Sequence, residues 1–181
     1  MGNTINKGKI PFLRYKGNSI ALSHQTYQFQ HTMMRLKDYK HRSIGERMIL
    51  HYAEKHKIPY LYEFKHPNLP ELRYDFVLLS HRHIYFVEFD GEQHFKYSPP
   101  MFHKSMSDFL HSQQRDILKT KLITDLRSHM IRIDFTQIHR VDYHLTQALY
   151  QHQHLYLSTP NMYDYVKAPV DVQTLHKYQV I

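Results

Sequence analysis

Residues 71–94, ELRYDFVLLSHRHIYFVEFDGEQH, decide how the rest of the chain is read. Two apolar runs flank a short polar turn at residues 80–82, a pattern that predicts a pair of strands. Side chains of a strand alternate between its faces. The first run, 72–79, would place Leu72, Tyr74, Phe76 and Leu78 on one face and Arg73, Asp75, Val77 and Leu79 on the other. The second, 84–90, would set Tyr85, Val87 and Phe89 against Ile84, Phe86, Glu88 and Asp90. Asp75, Glu88 and Asp90 are therefore acids inside strands that otherwise look buried. An ionised carboxylate is costly to bury unless it is paired or bound to a cation. One account is an edge hairpin whose inward-pointing charges discourage edge-to-edge pairing. The other has the acidic faces coincide, so that the three acids converge on a hard cation such as Mg2+, which favours carboxylate and water oxygens. Gly91 permits unusual backbone angles, which would let His94 swing back towards that cluster.

A length of 181 residues and a hydrophobic content of 41% suit one domain with a real core rather than a disordered chain. Cysteine is absent, which rules out disulfides and cysteine-ligated zinc and fits an intracellular, reducing compartment. No signal peptide and no run of eighteen apolar residues is seen, so no membrane is expected as a partner. The formal charge of +8 is uneven. Residues 1–42 carry Lys7, Lys9, Arg14, Lys16, Arg35, Lys37, Lys40 and Arg42 against the single acid Asp38, a balance of +7. A basic arm beside a carboxylate-rich site suits a polyanion such as DNA, the arm holding phosphate through Lys7, Lys9, Arg14 and Lys16. Solubility or an acidic protein partner would account for the same charge. The 17 histidines add positive charge under mildly acidic conditions after modest pKa shifts.

Residues 1–26 read as an irregular arm with a short strand at 20–22, and residues 27–40 as a helix. Ser43 and Glu46 have the spacing of a capping box, opening a helix that runs to about His56. Glu46 is explained by capping alone. Residues 60–65 predict a first strand, Pro67, Asn68 and Pro70 a turn, and residues 97–104 a loop. A long helix extends from Ser105 or Ser107 to Leu126. It carries Arg115 and Lys119 one turn apart, and an Asp116–Lys119 pair at helical spacing is the plain reading of those charges. A strand at 129–135, a helix from Val141 and a tail of short packing segments complete the chain. The division is a basic arm at 1–42, a core at 43–135 and a packing tail at 136–181.

The ordered set SIGERMILHY, LRYDFVLL, YFVEFDGEQHF, QQRDILKTKLI and MIRIDF, covering about half the chain, resembles the PD-(D/E)xK nuclease superfamily. It is most similar to the branch related to very-short-patch-repair endonucleases, found among phages and large DNA viruses. The resemblance implies an α/β fold with a restriction-endonuclease-like core, a small mixed β-sheet flanked by helices. It implies a Mg2+-dependent endodeoxyribonuclease, with Mn2+ as a substitute, acting on DNA in the cytoplasm or in a host nucleus if viral, and it allows a homodimer. Glu46 would be the helix acid facing the metal centre, Asp75 and Glu88 the metal carboxylates, and Asp90 a further ligand where the broader superfamily has lysine. His94 would be general base or acid, Asp116 its orienting partner, and Arg115 and Lys119 the groups meeting phosphate. Tyr74, not proline, precedes Asp75, and the zinc-binding cysteines of some relatives are missing. The competing readings are a structure-selective nickase or junction-resolving nuclease, and a nucleic-acid-binding protein that keeps the fold without cleavage.

Overall fold

The computed structural model describes residues 12–15, 18–21, 42–66 and 69–178. In chain order its main elements are β1 (Phe12–Tyr15), β2 (Asn18–Ala21), α1 (Ile44–Lys55), β3 (Tyr60–His66), β4 (Leu69–Ser80), β5 (His83–Asp90), α2 (Met106–Asp125), β6 (His129–Asp134), α3 (Val141–Gln151), β7 (Leu155–Leu157) and α4 (Val172–Lys177). Strands β3 to β7 lie in sequence order in one mixed sheet. The pairs β3–β4 and β4–β5 are antiparallel, whereas β5–β6 and β6–β7 are parallel. The expected α/β class with a small mixed sheet and flanking helices is therefore present.

The central hairpin closes on His81 and Arg82, both left-handed at φ 49° and 68°. Two left-handed residues between paired strands match the native strand twist, and here they do so without glycine. The parallel steps need crossovers, which α2 supplies between β5 and β6, and α3 between β6 and β7. The two helices cover opposite faces. Ile49, Leu50 and Ala53 of α1 and Leu145 and Leu149 of α3 pack with Phe76, Leu78, Val87 and Ile131. Ile123 of α2 packs with Val77, Phe86 and Met130, and Leu118 and Leu122 with Leu69 and Leu72.

One expectation about β4 fails. Leu72 and Tyr74 face α2, but Phe76 and Leu78 face α1 and α3, so the alternation slips by one residue at Asp75. Strand β3 makes the same slip, with Leu61 and Phe64 on the α2 side and a left-handed Glu63 (φ 47°) between them. A paired irregularity of this kind twists the strands and re-aims a side chain, and Asp75 sits where it occurs.

Helix boundaries agree closely with expectation. Ser43 caps α1 by accepting from the Glu46 N–H, and Ser105 caps α2 by accepting from the Asp108 N–H. The tail folds as β7, a 3-10 segment at Pro160–Lys167 and α4. The helix expected at 27–40 lies outside the described residues, as do Lys7, Lys9 and Lys16, while Arg14 falls within β1. No described helix is long and apolar enough to cross a membrane.

Candidate active site

Strand β4 pairs with β5 as far as Phe76 and Val87, and beyond that rung a side chain takes over. Asp75 Oδ2 accepts from the Phe89 N–H at 2.8 Å, fastening the carboxylate at the point where the strands cease to pair. Glu88 follows Val87, and its Oε1 lies 2.6 Å from Lys119 Nζ of α2. Continuing the hairpin register by one residue sets Asp75 opposite Glu88. Lys119 is itself held: its ammonium lies 5.1 Å above the Tyr74 ring, and the Tyr74 hydroxyl donates to the Lys119 carbonyl at 3.2 Å. The slip in β4 thus places Tyr74 beneath α2 and Asp75 beside Glu88.

Glu46 arrives from α1. Gly45 brings that helix so close to β5 that a Cβ there would overlap the Phe89 ring. The Tyr62 hydroxyl donates to Glu46 Oε2 at 2.9 Å, and the Arg42 guanidinium lies 4.2 Å from the same ring. Ser43 takes its half of the expected capping box, whereas the Glu46 carboxylate turns to Tyr62. Glu46, Asp75, Glu88, His94, Arg115, Asp116 and Lys119 all line one cleft of about 460 Å³. Arg115 is exposed at its edge. Burial and the neighbouring Glu88 raise the Asp75 carboxyl well above its ordinary range, against the pull of Lys119 and the Phe89 N–H. Burial likewise raises Glu88, opposed by Lys119 and Arg132. Glu46, Asp75 and Glu88 share the cleft with Lys119, Arg73 and Arg115, and carboxylate oxygens crowded in this way are the donor type that a hard divalent cation takes.

Asp90, expected as a further metal ligand, is not among the residues that line the cleft with Asp75 and Glu88. It is fully buried outside the cleft lining, and Arg132 of β6 grips it. Arg132 Nε donates to Oδ2 at 2.9 Å and Nη2 to Oδ1 at 2.6 Å, and the Tyr163 hydroxyl donates to Oδ2 at 2.9 Å. The parallel register explains this, because Glu88 is paired with Arg132 and Asp90 with Asp134, leaving Asp90 diagonal to the guanidinium. Asp90, His94 and Asp116 do offer ligand atoms within 4.8 Å of one another, a spacing that could hold an ion. The Arg132 guanidinium already serves both carboxylates, standing 3.2 Å from Asp116 Oδ1. Burial disfavours its charge, but Asp90 and Asp116 hold its pKa well above the ordinary arginine value.

His94 ends a 3-10 turn, Glu92–His94, and its Nδ1 lies 2.6 Å from Asp116 Oδ2. Gln113 anchors the turn by donating to the His94 carbonyl at 3.2 Å, and Tyr165 donates to Asp116 Oδ2 at 3.3 Å. Burial opposes the imidazolium, but Asp116 and then Asp90 outweigh it and raise the His94 pKa. Burial would raise Asp116, yet Arg132 and His94 bring it below the usual carboxylate range. With Nδ1 committed to Asp116, Nε2 is the atom left to exchange a proton. The Asp116–Lys119 helix pair is not formed, since Asp116 serves Arg132 and His94 while Lys119 serves Glu88.

Arg132, Tyr62, Tyr163, Tyr165 and Gln113 escaped the sequence reading. Arg132 had a visible signal, a charge inside the apolar run MIRIDF, which raises the same burial question as Asp75. The tyrosines had none, because a hydroxyl on a packing aromatic looks the same whether or not it reaches a carboxylate. In comparisons with protein families, curated proteins and solved structures, the chain matches none of them.

Proposed function

We propose that the protein is a metal-dependent DNA endonuclease that hydrolyses phosphodiester bonds, built on a restriction-endonuclease-like core. The observation that carries this reading is the meeting of Asp75 and Glu88 at the end of the central hairpin. They share an open cleft with Lys119, Arg115 and His94, and burial together with the neighbouring Glu88 raises the Asp75 carboxyl well above its ordinary range, a strain that a bound cation would relieve. Asp75 and Glu88 would hold Mg2+, or Mn2+ in its place, with Glu46 binding a second ion or its water; Asp90 is left to Arg132. The bound metal would supply an acidic water at neutral pH and neutralise charge on the phosphate.

The chain's own groups do the rest. Lys119 holds Glu88 in the cleft, and with Arg115 it offers positive charge to phosphate oxygens. Removing one such aligned group typically costs about 10²–10³ in rate. His94 exchanges a proton through Nε2, its ring oriented by Asp116, and Arg132 fixes Asp116. The basic residues of 1–42 add affinity for the DNA backbone.

The test is conversion of supercoiled plasmid by the full chain with Mg2+, with Mn2+ and with EDTA, alongside Asp75→Asn. Metal-dependent nicking or linearisation that Asp75→Asn abolishes is expected. DNA binding with no cleavage in either metal, on linear, mismatched, nicked and branched DNA, would overturn the enzymatic reading. Cleavage confined to branched or mismatched DNA would assign a structure-selective nuclease.

A further inference from the structure

Four histidines gather at the end of the sheet remote from the cleft. His83 opens β5 and His129 opens β6, and their ring nitrogens, Nδ1 and Nε2, are 3.1 Å apart. His152, at the C-terminal cap of α3, has its ring centroid 5.0 Å from that of His83. His154 stacks on His129 with centroids 5.4 Å apart. Five residues of strand separate His83 from Glu88, roughly 17 Å at a rise of about 3.3 Å per residue.

Hydrogen bonding decides which nitrogens are presented. His129 Nδ1 lies 2.9 Å from the Gln153 carbonyl, which can only accept, so Nδ1 carries the proton and Nε2 has a lone pair. That lone pair points at His83. His152 Nδ1 meets the Tyr85 hydroxyl, which leaves its Nε2 as the nitrogen open to a ligand. Backbone carbonyls that fix the far nitrogen of an imidazole are the usual support of metal-binding histidines.

We infer that His83, His129 and His152 form a binding site for a borderline divalent transition metal of the Zn2+ class, separate from the carboxylate cleft. Two nitrogens bound at about 2.0–2.1 Å on adjacent corners of a tetrahedron lie about 3.3–3.4 Å apart, close to the separation already present. An ion would take the position of the proton that now joins His83 and His129, with His83 shifting to the tautomer protonated on Nε2 so that both ligands stay neutral imidazoles. The exposed His152 reaches it by rotating its own side chain, and water completes the coordination. Imidazole ligands without a carboxylate favour Zn2+ over Mg2+, so the two ends of the sheet would select different ions. The inference does not depend on the nuclease reading.

Calorimetric titration of the metal-stripped full chain with Zn2+, in excess Mg2+ to occupy oxygen sites, tests it. One tight equivalent is expected. His83→Gln and His152→Gln, both at exposed positions, should each weaken it at least as much as the 10- to 100-fold loss typical of removing a hydrogen-bond partner of a metal ligand. His129→Gln should do the same with an unchanged circular dichroism spectrum. His111→Gln, on the exposed side of α2, should leave the affinity as it is. Absence of a tight equivalent would overturn the site. So would equal affinity in His83→Gln and His152→Gln, or an equal loss in His111→Gln, each of which would spread the metal over the other histidines.

Discussion

The guanidinium of Arg132 and the carboxylate of Asp90 form a two-bond pair, 2.9 and 2.6 Å, with neither residue exposed to solvent. Asp90 neutralises a buried cation. Arg132 in turn joins β5 and β6 to α2 through Asp116 and Thr120, so three elements meet on one side chain.

Removing one member of a buried pair leaves its partner uncompensated, which typically costs about 3–5 kcal/mol. Asp90→Ala should therefore lose about that much stability in EDTA, as should Arg132→Ala. Denaturant unfolding of the metal-free proteins measures it. If Asp90→Ala melts like the parent and loses only metal affinity, Asp90 belongs with Asp75 and Glu88 after all.

Asp75 and Glu88 should respond differently. Asp75 has a raised pKa in the folded state, so it binds its proton more tightly there than when unfolded. Its ionised form works against folding at neutral pH, and that penalty is relieved as pH falls through the raised value. Asp75→Asn should leave the metal-free protein as stable as the parent or more so, and flatten this pH dependence. Glu88→Ala strands Lys119 in a largely buried position and should destabilise by about 3–5 kcal/mol. Both should abolish metal-dependent cleavage. A thermal shift series from pH 4 to 8, paired with plasmid nicking, separates the two; a destabilised Asp75→Asn would contradict the account of its charge.

How much of the fold and the site is legible in the sequence follows from how far each partner lies along the chain. The hairpin, α1, α2 and β6 follow from periodicity and caps, which are local. Asp75 and Glu88 stand out because carboxylates in apolar strands demand a partner. The role of Asp90 is hidden because its partner, Arg132, enters from the next parallel strand, 42 residues away. The slip at Asp75 is hidden too, since the left-handed Glu63 belongs to β3 and is not a glycine. Lys119 reads as the helix partner of Asp116 until the sheet brings Glu88 beneath it.

The basic arm predicts a salt effect. Changing Lys7, Lys9, Arg14 and Lys16 together to Gln should weaken DNA binding and lower the slope of log affinity against log salt by up to about 3.6, at about 0.9 for each duplex phosphate that the protein ceases to neutralise. Zn2+ binding and folding should be unchanged. Fluorescence anisotropy from about 50 to 200 mM salt reads the slope, and an identical slope would remove the arm from the DNA interface.

His94 gives the sharpest kinetic test. Asp116 holds its imidazolium, so its folded pKa exceeds the ordinary histidine value. The stability this contributes is present in full below the unfolded pKa and fades as pH rises through the folded one. In catalysis the same shift makes His94 a proton donor near neutral pH. The rate should therefore carry a limb that falls on the alkaline side of about 6.5. Asp116→Asn keeps a hydrogen-bonding amide but removes the charge, and should move that limb to lower pH. His94→Gln should bind DNA and Mg2+ almost normally, lose the limb, and slow single-turnover cleavage by about 10²–10⁴-fold, the range for lost general acid–base catalysis. A His94→Gln enzyme with the parent rate and pH curve would exclude proton transfer at this residue. Weakened Mg2+ binding in the same variant would instead make His94 a ligand or an anchor of the turn at Glu92–His94.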